Sequence, residues 1–311
     1  MGITSPERLA DEENLNSINL TSSLTEKIKA QDANGETDQN AILELKKTIS
    51  RDRQSAQVES LERLKGVLPD NTVRKIHTAQ ETGASNWLTC LPIRVKGFSL
   101  NKQEFVDAVA LRGDSCASDS TEVRDVTASM LREVCRDVST EPILLPLDGE
   151  HLQYRTANTA NEARVDVMAR GFWTRGRKAI MDIRIFDPMA ACHRGISLEA
   201  THQRNEQEKI RAYGERIQHV DQGSFTPLVF TTSGGMGPKA KCFYSRLADV
   251  MAEKKHQPRS HVVAWMRCRL SFSLLRSALL CLRGTRYSAP TTIDIASLDY
   301  QATVVESGIL V

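Results

Sequence analysis

The sequence predicts a chain of class α/β (α+β), with a central mixed sheet flanked by helices and preceded by an N-terminal helical extension. Three observations predict it. From Ala41 to about residue 82, apolar residues recur at helical spacing. From about residue 141 the period shortens, and residues 164–186 alternate as two strands around a turn. Helical and extended stretches then take turns to about residue 283, the pattern of a sheet covered by helices.

Residues 1–40 are polar and aperiodic, with one short helical candidate at 22–31, and are expected to be largely disordered. Ile42, Leu43, Leu45 and Ile49, then Val58, Leu61, Leu64 and Val67, mark a helix that Pro69-Asp70-Asn71 breaks. Asn71 or Thr72 caps a second helix through His77. Trp87, Leu88, Leu91, Ile93, Val95 and Phe98 are strand-forming, but Pro92 among them predicts an irregular or edge segment. Ser99 caps the next helix, with Gln103 near the capping-box position and Phe105, Val106, Val109 and Leu111 as its apolar face. Together 41–112 form a helical extension with an irregular Trp/Pro segment.

A second domain is expected over 117–287. Thr121 caps a helix whose core face is Val123, Val126, Met130, Leu131 and Val134. Residues 141–147 form a short strand, and 164–186 a strand pair around Thr174-Arg175-Gly176-Arg177. A long charged helix fills 198–220, with Leu198, Ile210, Tyr213, Ile217 and Val220 as its buried stripe. A strand at 225–232, a glycine-rich turn, a helix from about Pro238 to Lys255 and an apolar helix at 261–283 complete it. The arginines of that last helix should reach the surface. Residues 288–311 are expected to be a loose tail.

Composition narrows the function. With 311 residues, 40% hydrophobic and 26% charged, the chain is neither fibrous nor a disulfide-rich miniprotein. Its net charge of +2 conceals an asymmetry. Residues 1–150 hold 18 Lys/Arg against 25 Asp/Glu, whereas 151–290 hold 23 against 11. A basic half behind an acidic half points to a polyanionic partner, or to a solvated basic face. Seven widely spread cysteines without a CxxC pair read as free thiols rather than a disulfide framework or a zinc site. The N-terminus lacks the regions of a signal peptide, and Pro6 stands where myristoylation needs Ser or Thr. Arg267, Arg269 and Arg276 interrupt the most apolar segment, so no membrane span is expected. The reading is an intracellular protein, nuclear or cytoplasmic, and not secreted.

The strand pair at 164–186 carries the chemistry. If its turn centres near residue 174, Asp166 lies opposite Asp182 on one face. Cross-strand neighbours stand roughly 5 Å apart at Cβ, where like charges repel. Two such carboxylates can chelate Mg²⁺ or Mn²⁺. A hard divalent metal at a basic domain suggests phosphodiester hydrolysis, with cationic side chains stabilising the charge of the transition state. The order Asp166…Asp182-Ile183-Arg184 is that of the PD-(D/E)xK nucleases, with Val165 in place of Pro and Arg184 in place of Lys. Arginine holds a phosphate but scarcely yields a proton. The lysine must then come from elsewhere, and Lys209 is the choice, since Glu206, Lys209, Tyr213 and Arg216 share one face of the following helix. Surface aspartates paired with arginines are the plainer reading of the same residues.

The runs GASNWLTCLPIRVKGFSLNKQEFVDAVALR, EVRDVTASMLREVC, ARVDVMARGFW, MDIRIFDP, NEQEKIRAYGERI, SFTPLVFTTSGGMG and LSFSLLRSALLCLRG occur here in that order. As a set they resemble the C-terminal region of non-LTR-type retroelement reverse-transcriptase proteins, over roughly residues 40–287. That region ends in a restriction-endonuclease-like domain that nicks target DNA. The resemblance implies metal-binding roles for Asp166 and Asp182, a charged helix carrying Glu206, Lys209 and Tyr213, and an acidic residue of the entry helix at Glu122. Similar proteins carry a Cys/His zinc element before that entry helix. Here GDSCASDST stands there with Cys116 alone, so no zinc is expected. No paired-aspartate polymerase motif is present, and the chain is expected to be a fragment of such a protein.

The expectation is a metal-dependent DNA endonuclease using Mg²⁺ or Mn²⁺, with Asp166, Asp182, Arg184, Lys209 and Glu122 as its catalytic set. DNA, or an RNA–DNA complex of a retroelement, is the expected partner, gripped by Arg175, Arg177, Lys178 and Arg216. A catalytically inactive nucleic-acid-binding remnant and a non-enzymatic helical interaction protein are the alternatives. SGGMGPK at 233–239 is glycine-rich before a helix, but lacks the phosphate-loop pattern and reads as a tight turn. His193, His202 and His219 show no ligand spacing, and Trp87, Trp173 and Trp265 read as packing residues.

Overall fold

A computed structural model of the chain describes residues 6–31, 38–90, 93, 98–110, 120–144 and 164–283. The chain divides into two compact units, Met1–Asp70 and Asn71–Val311. The first is a pair of helices, α1 (Pro6–Lys29) and α2 (Gln39–Lys65). Asp38 caps α2 by accepting hydrogen bonds from the Asn40 and Ala41 N–H groups at 2.9 and 3.1 Å. Lysines in the last turn of α1, and Arg63 and Lys65 in that of α2, oppose the helix dipoles. An Arg53–Glu13 ion pair joins the two helices. A helix thus occupies most of the stretch read as disordered. Its apolar residues Leu15, Ile18, Leu24 and Ile28 keep helical spacing, but they are sparse and at least half exposed. The polar majority around them hides the period.

The second unit is built on a single four-stranded sheet among the described residues, in the order β1 (Arg136–Thr140), β2 (Val167–Arg170), β3 (Lys178–Phe186) and β4 (Ser224–Thr231). The first three strands are antiparallel neighbours, and β3 and β4 are parallel. The β2–β3 turn needs left-handed backbone at Gly171 and Gly176, with φ of +84° and +81°. The ladder from Val167↔Met181 to Arg170↔Lys178 has the register expected from a turn near residue 174. A parallel neighbour requires a crossover, supplied by α6 (Leu198–Lys209), a π-helical turn (Ile210–Gly214) and α7 (Glu215–His219). Pro227 is tolerated in β4 because that strand closes the sheet's edge.

Helices cover both faces. Val167, Ala169, Ala179, Met181, Ile183, Leu228 and Phe230 pack against α5 (Thr121–Arg132), α8 (Pro238–Lys255) and α9 (Arg259–Arg283). Ile180, with Met168 and Phe225, meets Leu144, Val165, Tyr213 and Ile217 on the other face. α9 also carries Cys268, Phe272, Leu275 and Leu279 against Trp87, Phe98 and Ala108. α3 (Asp70–Gln80), a 3₁₀ turn (Asn86–Thr89) and α4 (Lys102–Ala110) lie in this segment. The extension expected over 41–112 therefore divides: its α2 portion lies in the first unit, and residues from Asn71 on build the second.

Local expectations shift in several places. The strand expected at 141–147 gives way to β1 at Arg136–Thr140, with Ile143 making only an isolated bridge to Arg164, and 145–147 lie outside the described residues. β1 is a polar edge strand with left-handed residues at Asp137 and following it at Glu141, so it shows no alternation of apolar side chains. Asn101 and Glu104, rather than Ser99 and Gln103, form the capping box of α4: each backbone N–H donates to the other's side chain at 2.8 Å. Phe105, Val106 and Val109 stay half exposed, and among the described residues of that helix Ala108 is the buried one. Arg269 does not reach the surface. It lies buried over the Trp265 ring, 4.9 Å from the centroid, and burial lowers its pKa to about 10. No helix among the described residues is long and apolar enough to cross a membrane. The tail 288–311 lies outside the described residues.

Candidate functional site

The site begins where β3 outruns β2. Their ladder ends at Val167↔Met181, while β3 continues to Phe186 beside β4. Past the end of β2 the Ile183 N–H needs an acceptor other than a strand carbonyl. The chain bends at Asp166, and the bend breaks the alternation: Val165 joins Ile180 and Ile217 on one side of the sheet, Val167 the opposite core. The bend delivers the Asp166 carboxylate to the open position, where its Oδ2 accepts the Ile183 N–H at 2.5 Å. Its own carbonyl accepts from the Glu141 N–H at 2.9 Å.

Asp182 stands on β3 beside Ile183 and is only 5% exposed. Lys209, at the end of α6, places its Nζ 2.5 Å from Asp182 Oδ2 and 5.6 Å from the centre of the Tyr213 ring. Arg184 forms a more exposed ion pair with Glu208, 2.8 Å from Nη1 to Oε2. The electrostatics follow from this crowding. Burial, then the neighbouring Asp182 charge, pushes the Asp166 pKa up to about 6, although the Ile183 N–H, Lys209 and Arg124 pull the other way. Burial raises Asp182 too, opposed by Lys209 and Arg184. Two carboxylates and one ammonium thus meet on β3 just past the end of β2.

The remaining sequence-chosen residues scatter. Glu122 is half-buried in the first turn of α5, and the charge from that helix that acts on Asp166 belongs to Arg124. Arg175 and Arg177 are exposed at the hairpin tip. At a rise of about 3.3 Å per residue, that tip lies roughly 20 Å along β3 from Asp182. Lys178 is paired with the buried Asp221 at 3.3 Å. Arg216 is a correction. It is 7% exposed and aims Nη2 at the Leu144 carbonyl at 3.5 Å, because the helix face it shares with Ile217 packs inward. Among the described residues no group of three or more His, Cys, Asp or Glu could hold a metal ion. Asp166 and Asp182 are the hard oxygen donors of this site.

A second polar constellation escapes the periodicity reading. The buried stripe at the start of α6 is Thr201, His202, Asn205 and Glu206, where apolar residues were expected to mark the inward face. His202 Nε2 lies 2.8 Å from Glu81 Oε1, and Thr231 Oγ1 donates to Glu81 Oε2 at 3.2 Å. Thr231 Oγ1 also accepts the Gly235 N–H, and Glu206 Oε1 accepts the Lys239 N–H, both at 2.8 Å. Burial raises the Glu206 pKa, against the pull of Lys239 and His202. The network explains the glycine-rich turn. A Cβ on Gly235 would sit 2.0 Å from Glu81 Oε2, and one on Gly237 2.6 Å from Glu206 Oε1. The turn is shaped for carboxylates, not for a phosphate. The i, i+4 pair His202/Glu206 was the available signal.

A cavity of about 50 Å³ lies elsewhere, past the C-terminal ends of β3 and β4, lined among others by Asp187, Thr232, Ser233 and Trp87. Neither Asp166 nor Asp182 lines it, so the cavity and the paired carboxylates are separate features. No protein-family model matches this chain, and no curated protein matches it.

Proposed function

We propose that this chain is a metal-dependent DNA endonuclease of retroelement origin, with a restriction-endonuclease-like fold, that nicks phosphodiester bonds. The observation that carries the reading is the meeting of Asp166, Asp182 and Lys209 on the stretch of β3 that runs past the end of β2. A four-stranded mixed sheet between helix layers suits the fold that the motif resemblance implies.

The donor set fits Mg²⁺ or Mn²⁺. Such ions are commonly held by one or two carboxylates, with water and substrate phosphate completing the shell. Burial and, after it, the Asp182 charge raise Asp166, and a dication between the carboxylates would relieve the second of these costs. Asp166 and Asp182 would hold the ion, which supplies a polarised phosphoryl oxygen and a nucleophilic hydroxide. The Ile183 N–H fixes the orientation of the Asp166 carboxylate. Asp166 must be ionised to serve, so protons compete with the ion for its carboxylate. Lys209 keeps a cation beside Asp182, positioned to stabilise the extra charge of the transition state. Arg184, tied to Glu208 at the rim, offers a fixed guanidinium to a phosphate.

Conversion of supercoiled plasmid to the nicked form in Mn²⁺ tests the proposal. Nicking is expected from the full chain and should fall at least 10²-fold in Asp182→Asn, the scale on which single transition-state contacts act. No nicking by the wild type, or equal nicking by the variant, removes the enzyme. Salt-sensitive DNA retardation without nicking would instead support the inactive nucleic-acid-binding remnant.

A further inference from the structure

Cys90 directly follows the 3₁₀ turn Asn86–Thr89, and Cys268 lies in the middle of α9. The two residues are 178 apart in sequence, yet their Sγ atoms stand 3.0 Å apart. That is about 1 Å beyond the ~2.05 Å of a disulfide bond. Two further interactions hold the approach. The Trp87 N–H donates to Ser271 Oγ at 2.6 Å, one turn along α9 from Cys268. Trp87, Leu88 and Cys90 also pack into one apolar cluster with Cys268, Phe272 and Leu275. The thiols are therefore set side by side by the packing of their own elements.

We infer that Cys90 and Cys268 are a redox modification site, converted by a hydroperoxide into a disulfide that ties the Trp87 turn to α9. The contact polarises the pair: it lowers the Cys268 pKa and, with burial, raises that of Cys90, so Cys268 is the thiol that ionises first. Its thiolate attacks one oxygen of the peroxide. An S–O bond forms, the O–O bond breaks, and hydroxide or alkoxide leaves. The Cys90 sulfur then attacks the Cys268 sulfenic acid. The S–S bond forms, the S–O bond breaks, and the Cys90 proton departs with the hydroxyl as water. Two thiols are oxidised by two electrons and the peroxide is reduced. The cross-link would fasten Trp87, and with it one wall of the cavity past the ends of β3 and β4.

The full chain, purified under reductant and then freed of it, is treated with hydrogen peroxide, alkylated, digested and analysed by mass spectrometry. The expected product joins the peptides of Cys90 and Cys268, lighter by two hydrogen atoms, and dithiothreitol reverses it. Cys90→Ser should abolish the link and leave a Cys268 sulfenic acid that dimedone traps, with far-UV circular dichroism confirming the fold. Because the wild-type product alone decides the pairing, a variant that fails to fold does not spare the proposal. The exposed thiols Cys192 and Cys242 serve as internal dosimeters. If they oxidise while Cys90 and Cys268 remain fully alkylated, or if either pairs with another cysteine, the proposal is wrong.

Discussion

Replacing Asp166 with asparagine should stabilise the protein at pH 8 while removing its proposed metal site. The native carboxyl has a pKa of about 6, against 3.8 for an ordinary aspartate. At roughly 1.4 kcal/mol per unit, folding opposes the ionised form by about 3 kcal/mol. The direction follows from proton binding. Between pH 4 and 6 the folded state holds the proton and the unfolded state releases it, so stability falls as pH rises through that window. Above it the full penalty is present, and below it the penalty vanishes. Asparagine keeps a carbonyl oxygen for the Ile183 N–H and carries no charge. Urea unfolding in a chelator should therefore find Asp166→Asn more stable by about 3 kcal/mol at pH 8, with the gap below about 1 kcal/mol near pH 4. Adding Mn²⁺ at pH 8 should stabilise the wild type selectively and narrow the difference, since a ligand bound only by the folded state adds to its stability. A wild type as stable as the variant at pH 8 without metal would refute the account of the site as a strained carboxylate pair.

Three further outcomes follow from the packing. Gly235→Ala should cost about 2–4 kcal/mol in urea unfolding, because its Cβ displaces Glu81 from His202 and Thr231; adding Glu81→Ala should recover part of the loss. Thr127→Val should cost about 1–3 kcal/mol by orphaning the buried Tyr244 hydroxyl, which lies 2.7 Å from Thr127 Oγ1, and Tyr244→Phe in the same chain should restore most of it. Lys209→Met should destabilise by about 3 kcal/mol at pH 8, since it leaves the buried Asp182 without the counter-charge bonded to it. That last penalty should shrink on acidification, because burial raises the Asp182 pKa and a protonated Asp182 needs no partner.

The sheet was legible because its evidence is local. Alternation over 164–186, with a turn near residue 174, is enough to pair Val167 with Met181. That register sets Asp166 near Asp182, and the helix that returns the chain to β4 carries Lys209 to them. What stayed hidden is non-local or polar. β1 has no apolar rhythm because it is an edge strand. Arg124 acts on Asp166 from a helix about 40 residues earlier, and no spacing rule reports that. Arg216 occupies the helical face chosen for DNA contact, yet that face turns into the core near Ile217. The inward stripe of α6 is polar, and hydrophobic periodicity is blind to a buried His–Glu network.

That polar stripe bears on how Lys209 is held. A lysine paired with a buried carboxylate loses considerable side-chain entropy, so its backbone must be well fixed for the pair to persist. On α6, Glu206 is bound to the N-terminus of α8 through the Lys239 N–H, and His202 is bound to Glu81. After Lys209 the rod passes through the π-helical turn to Ile217, which is fully buried. Buried anchors therefore flank Lys209 on both sides. π-Turns concentrate at functional sites because the extra residue in the turn re-aims the side chains that follow it. This turn starts directly after Lys209 and contains Tyr213, whose ring lies under the lysine. Both buried ends hold Lys209 at Asp182 from a helical rod rather than a loop, the arrangement that its proposed role beside a reacting phosphate demands.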